Sequence, residues 1–235
     1  MSIESSVESK LSYQRFTRTH RWISKLLSIA PGEVRVLIYS FTYFFCLLCS
    51  YYIVRPMRDE MAIAGGVENL QWMFTGTFLA MLAAVPLFGW LVRRFPVRRF
   101  LPYVYLFFIA NLLLFFILFK SNIHHAYIAR IFFIWASVYN LFIVSVFWSF
   151  MADIFRPGQA TRLFGFIMAG GSIGAILAPS VTKAVVDPHG ATGVMLLAAC
   201  ALLVATSLAV FLGRYTRRLQ KQKASSIIGG SVWEG

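Results

Sequence analysis

An all-α, polytopic membrane protein is the fold class this sequence predicts, and three observations predict it. Six long stretches without Asp, Glu, Lys or Arg recur along the 235 residues. The chain is 59% hydrophobic and only 13% charged, far from a soluble domain of its length. The basic residues between the stretches alternate in density, crowded then sparse, from one end to the other.

The stretches are Val36 to Val54, Asn69 to Val92, Phe100 to Phe119, Ile131 to Ala152, Leu163 to Thr182 and Ala191 to Gly213. A hydrocarbon core about 30 Å thick needs about 20 helical residues, so each is long enough to cross. Lipid offers the backbone no hydrogen-bond partner, which leaves helices or a closed barrel. Unbroken apolar runs lack the alternation that a barrel strand requires. Three parts follow: a basic segment over 1–33, a six-helix bundle over 34–213 and a basic linker or tail over 214–235.

Of the 22 lysines and arginines, 17 fall before the first span, in the second-to-third loop, in the fourth-to-fifth loop and in the tail. By the positive-inside rule both termini are cytoplasmic. A plasma or bacterial inner membrane is the expected location. The net charge of +13 is therefore assigned to orientation and anionic lipid contact, and nucleic acid is not an expected partner.

The N-terminal segment shows no secretory leader, because its first long apolar run begins only at Val36. Arg15, Arg18, Trp22 and Lys25 are expected on a basic helix lying on the inner surface, with Pro31 and Gly32 separating it from the first span.

In the first span, Tyr39, Thr42, Tyr43, Cys46, Cys49 and Ser50 share about a third of the circumference at 100° per residue. Such a stripe avoids lipid. It is either a substrate-facing wall or a set of interhelical hydrogen bonds. Cys46 and Cys49 have CxxC spacing but no second ligand pair, and they read as packing residues. The span closes on Arg55, Pro56, Arg58, Asp59 and Glu60, where Pro56 is expected to end or kink the helix. Arginine suits phosphate because its planar donors engage two oxygens at once and its charge persists in poorly hydrated sites. Arg55 and Arg58 are thus candidate anion ligands, or else a snorkelling cluster paired with Asp59 and Glu60.

The fourth span places Ser137, Asn140, Ser145, Trp148 and Ser149 within about half its circumference and ends in Asp153, Arg156 and Pro157. Asn140, Ser145 and Trp148 either orient a polar ligand or glue helices together. In the fifth span Gly170 and Gly174 form a small-xxx-small pair, which permits close backbone approach and, as a functional extension, a rocking interface. The tail beyond Gly213 is basic, then rich in Ser and Gly, as expected of a linker leading to a further half.

The second-to-third loop resembles the loop motif of the major facilitator superfamily. Gly89, Leu91, Arg94, Arg98 and Arg99 fit that motif; Arg93 stands where the family has an Asp, and Pro96 where it has a second glycine. Asp153, expected on the same membrane side, is the candidate for the missing carboxylate, so Arg93, Arg94, Arg98 and Asp153 are candidate gating residues, with Gly170 and Gly174. Ser50 before Arg55-Pro56 and Ser149 before Arg156-Pro157 form a short internal echo of the kind an inverted three-plus-three repeat leaves.

The run Val54-Arg55-Pro56-Met57-Arg58-Asp59-Glu60-Met61 is similar to a segment of the bacterial and plastid ATP:ADP antiporters. Val144-Ser145-Val146-Phe147-Trp148-Ser149-Phe150 resembles that family's fourth helix. The resemblance implies the N-terminal half of a twelve-helix bundle, and it implies alternating-access exchange of an anionic solute such as ATP or ADP, with Arg58 as the basic transport residue. The family's acidic residue near the start of the fourth helix has no counterpart in Trp135 to Asn140. A second six-helix half or a second copy of the chain is the expected partner. A proton-coupled carrier of another solute and a non-transporting assembly partner are the alternatives.

No metal, cofactor or enzyme chemistry is expected. The four histidines, at 20, 124, 125 and 189, do not form a ligand set, and neither a zinc-protease pair nor a phosphate-binding glycine loop occurs.

Overall fold

The structure, a computed structural model, describes residues 33–121 and 125–229. The basic surface helix expected around Arg15 and Trp22, its break at Pro31 and Gly32, His124 and residues 230–235 lie outside that range.

All six expected spans are helices, and all six are long and apolar enough to cross a membrane. They are α1 Glu33–Ala64, α2 Leu70–Arg94, α3 Val97–Lys120 and α4 His125–Ile154, followed by α5 Pro157–Val186 and α6 Gly193–Leu219. A single 3₁₀ turn, Val67–Asn69, joins α1 to α2. Helical backbone runs through α5 and α6 to Gly229 with one interruption, at Gly190, where φ is 69° and ψ is −177°. That conformation is open in practice only to glycine, so Gly190 marks the reversal between the two spans.

Of the two outcomes expected at Pro56, the helix ending there is ruled out: α1 continues to Ala64. Proline removes one backbone donor, a modest loss where neighbouring helices hold the segment on either side. They do so here. Met57 is buried in the main core, and Ala62 packs in a small cluster with Met73 of α2 and Phe133 of α4.

The bundle is built around α1 and α4, each half buried, while α2 lies almost entirely on the outside. Aromatic rings make the seams. Phe44 of α1 stacks on Phe147 of α4 with centroids 4.3 Å apart, and Tyr39 of α1 meets Phe211 of α6 edge-on at 5.0 Å. Between α3 and α4, Phe108, Phe115, Phe119, Phe132 and Trp135 interlock, and Trp135 lies parallel to Tyr139 at 5.2 Å. Ring pairs in these offset and edge geometries add about 0.5–1.5 kcal/mol each beyond the area they bury.

The small residues of α5 let it seat directly on α1. A Cβ built at Gly170 would lie 2.7 Å from the Phe41 carbonyl oxygen, and one at Gly174 would lie 2.8 Å from that of Phe45. The glycines therefore bring two backbones to a distance any side chain would forbid, as the small-xxx-small spacing predicts.

Candidate functional site

The polar residues of the spans sort into three depths. At mid-depth, Ser50 Oγ lies 2.7 Å from Tyr139 Oη and donates to the Ala198 carbonyl at 2.7 Å, joining α1, α4 and α6. Tyr43 Oη pairs with Tyr105 Oη, and Tyr105 donates in turn to the Ile143 carbonyl at 3.2 Å, joining α1, α3 and α4. Tyr43, Ser50, Tyr105 and Tyr139 are all completely enclosed. In this conformation Tyr43 and Ser50 thus occupy the interhelical alternative rather than an open wall, because hydroxyls among apolar side chains are held by the partners nearest to them.

The rest of the expected stripe is more open. Tyr39 is half-buried against α6, Cys49 Sγ reaches the Gly174 carbonyl at 3.6 Å, and Thr42 bonds the Ile38 carbonyl of its own helix at 3.0 Å. On α4, Asn140, Ser145 and Trp148 are all part-exposed. Trp148 is fixed between Phe44 and Phe164.

Toward the end remote from the termini, three guanidinium groups stand on the last turns of α1 and the first turns of α4. Arg58 directs both Nε, at 3.0 Å, and Nη2, at 2.7 Å, onto one carboxylate oxygen of Asp59. Its Cζ lies 5.3 Å from the centre of the Phe133 ring. Arg55 is exposed and rests over Tyr52 at 5.6 Å, with no carboxylate partner among the described residues. Arg130 donates from Nε to the Gly65 carbonyl at 2.8 Å and lies over Tyr127 at 5.4 Å. Rings under cations hold the charges in place without neutralising them.

At the opposite end, the loop between α2 and α3 meets the end of α4. Arg98 donates from Nε to Asp153 Oδ2 and from Nη2 to the Asp153 carbonyl at 3.3 Å. The carboxylate sought from sequence in place of the loop's missing Asp is thus the one Arg98 holds. Arg93, Arg94 and Arg99 are exposed around it. Close by, Gln159 bridges the backbone N–H of Arg156 and the side chain of Glu33, tying the start of α5 to the start of α1.

The sequence pattern of the Major Facilitator Superfamily matches residues 36–233, all six spans included. The chain belongs to the Major Facilitator Superfamily. No curated protein matches it, and no solved structure matches it. Membership makes it a multi-pass membrane protein of secondary-transporter type. The match carries no narrower branch, so the likeness to ATP:ADP antiporters rests on the two short segments alone.

Gly170 and Gly174 pack within this six-helix unit, against α1, rather than on its outer surface. Sequence reasoning passed over Tyr105, Tyr139 and Arg130. The tyrosines escaped because an aromatic ring counts as apolar in a span while its hydroxyl acts as a buried polar group. Arg130 escaped because it stands in a sparsely charged loop, where the signal would have been its helical register with Ser137 and Asn140.

Proposed function

We propose that this chain is a transporter half that moves a small anionic solute, a nucleotide or another phosphorylated compound, by alternating-access exchange. The observation that carries the reading is Arg58 presenting two donors to a single carboxylate oxygen, with Arg55 and Arg130 at the same end of the bundle. A phosphate oxygen would engage the same pair of donors in the same way. Asp59 then acts as a stand-in anion that the substrate displaces, which keeps the empty site from trapping a bulk ion.

Tyr39, Asn140, Ser145 and Trp148 line the route below the arginines, while Tyr43 and Ser50 brace the helices behind it. The Arg98 to Asp153 pair, flanked by Arg93 and Arg94, closes the other end, with α5 pivoting on α1 at Gly170 and Gly174. Both termini face the cytoplasm, and a second six-helix half or a second copy completes the pathway.

Reconstituted protein, with its complementary half or as a dimer, is expected to take up labelled nucleotide only when vesicles contain counter-substrate. Arg58→Ala should abolish that uptake, and transport equal to the parent's would refute the assignment. Uptake driven by a pH jump without internal substrate would favour the proton-coupled alternative instead. Absence of uptake in every format would leave a role in assembly.

A further inference from the structure

Between α3 and α6, at the end that carries the termini, lies a second concentration of positive charge, which shares only Arg98 with the proposed gate. A cavity of about 230 Å³ is lined by Arg98, Arg99, Arg214 and Arg217 above an apolar floor that includes Pro102 and Phe150. Among the described residues no carboxylate lines it. Arg98 is held from the side by Asp153, whereas Arg99, Arg214 and Arg217 make no ion pair among the described residues. Guanidinium groups gathered at the edge of a low-dielectric slab favour an anion between them, the more so as three of the four have no carboxylate partner among the described residues.

The helix registers add a second, independent observation. On α3, Arg99, Leu106 and Leu113 follow at intervals of seven residues, and on α6 Leu196, Leu203, Val210 and Arg217 do the same. Seven residues are nearly two turns, so each row runs straight down its helix for about 10 Å per step. Leu106, Leu113, Leu196 and Leu203 are all exposed. The two helices run in opposite directions, which puts both arginines at the same end. Each row thus has a cation at the membrane boundary and an uncovered apolar track leading toward the bilayer centre.

We propose that this cleft binds the phosphate group of an anionic phospholipid, with an acyl chain lying along the exposed rows of α3 and α6. A soluble phosphate compound would use the guanidiniums but leave the tracks bare; a phospholipid matches both at once. Basic pockets between spans, on the side where positive charge accumulates, suit such headgroups.

Purified full-length protein should be titrated with phosphatidylglycerol, with phosphatidylcholine of the same chains and with inorganic phosphate, bound adducts being counted by native mass spectrometry. Phosphatidylglycerol is expected to bind in preference to phosphatidylcholine. Replacing both Arg214→Gln and Arg217→Gln should weaken phosphatidylglycerol binding about thirtyfold. Arg218→Gln, outside the cleft, should leave it unchanged, and the Arg214→Lys, Arg217→Lys pair should restore most of the affinity. An unchanged thermal midpoint shows that the variants are folded. Equal loss with Arg218→Gln would reduce the site to a diffuse basic surface and overturn the proposal, as would full binding by the double Gln variant. Inorganic phosphate that binds alone and displaces phosphatidylglycerol would overturn the lipid assignment.

Discussion

Helices α1 and α2 are nearly equally apolar, yet half of the apolar stretch of α1 is buried inside the bundle and only 6% of that of α2 is. The difference lies in what each helix offers a neighbour. Along α1, hydroxyls and rings alternate so that Tyr43, Ser50, Phe44 and Leu47 all find close partners, and α5 presents glycines to it. Along α2, packing narrows to a strip where Gly76 accepts Ile134 and where Phe74 and Phe88 meet α4 edge-on. Its remaining faces carry Trp72, Phe78, Leu79, Leu82 and Val85, all exposed. In water that surface would force burial; in a bilayer it needs none, since lipid tails are as apolar as leucine. Hydropathy therefore tells which segments leave water but not which of them meet protein.

The sharpest way to break this contrast is at the α1–α5 contact. Gly170→Ala drives a methyl against the Phe41 backbone and should cost about 1–3 kcal/mol, with Gly170→Val costing more, read as a lowered thermal midpoint in detergent. A midpoint unchanged by Gly170→Val would mean that α5 does not seat on α1 as described.

Next comes the Ser50 junction. Ser50→Ala removes a hydroxyl shared by Tyr139 and the Ala198 carbonyl and should destabilise by about 1 kcal/mol. Thr75→Ala on α2 deletes a hydroxyl bonded only to its own helix, at the Gln71 carbonyl, and should change nothing measurable. Equal effects at the two sites would erase the distinction between the helices.

Tyr43→Phe ranks third. Tyr105 keeps its bond to the Ile143 carbonyl, so the loss should be about 0.5 kcal/mol by the same thermal assay. The smallest effect belongs to Gly89 in α2, where a Cβ meets nothing within 4 Å. Gly89→Ala should leave stability unchanged or raise it by up to about 1 kcal/mol, through helix propensity alone.

Much of the fold was legible in the sequence because a bilayer imposes one dominant rule. Charge-free runs longer than the hydrocarbon thickness marked every span, and the superfamily loop was readable from Gly89, Leu91, Arg94, Arg98 and Arg99. Asp153 was readable as a carboxylate expected on the loop's side, but its pairing with Arg98 was not. Helix ends were less legible. Arg55, Pro56 and Arg58 looked like a boundary, but burial of Met57 and Ala62 carries α1 past them.

The site was legible in residue type and not in direction. A polar stripe on a helical wheel says that a face avoids lipid; whether Tyr43 and Ser50 meet a solute or Tyr105 and Tyr139 depends on helices far away in sequence. The third span offered no warning, because Tyr105 sits among phenylalanines and leucines that hide its oxygen.

Because the Ser50 and Tyr43 hydroxyl contacts cross-brace four of the six rods, spin labels placed on α1 and α4 should report the same separation whichever way the protein faces. Whatever swings in a working cycle then turns as a block, and the travel is found at its outer rind.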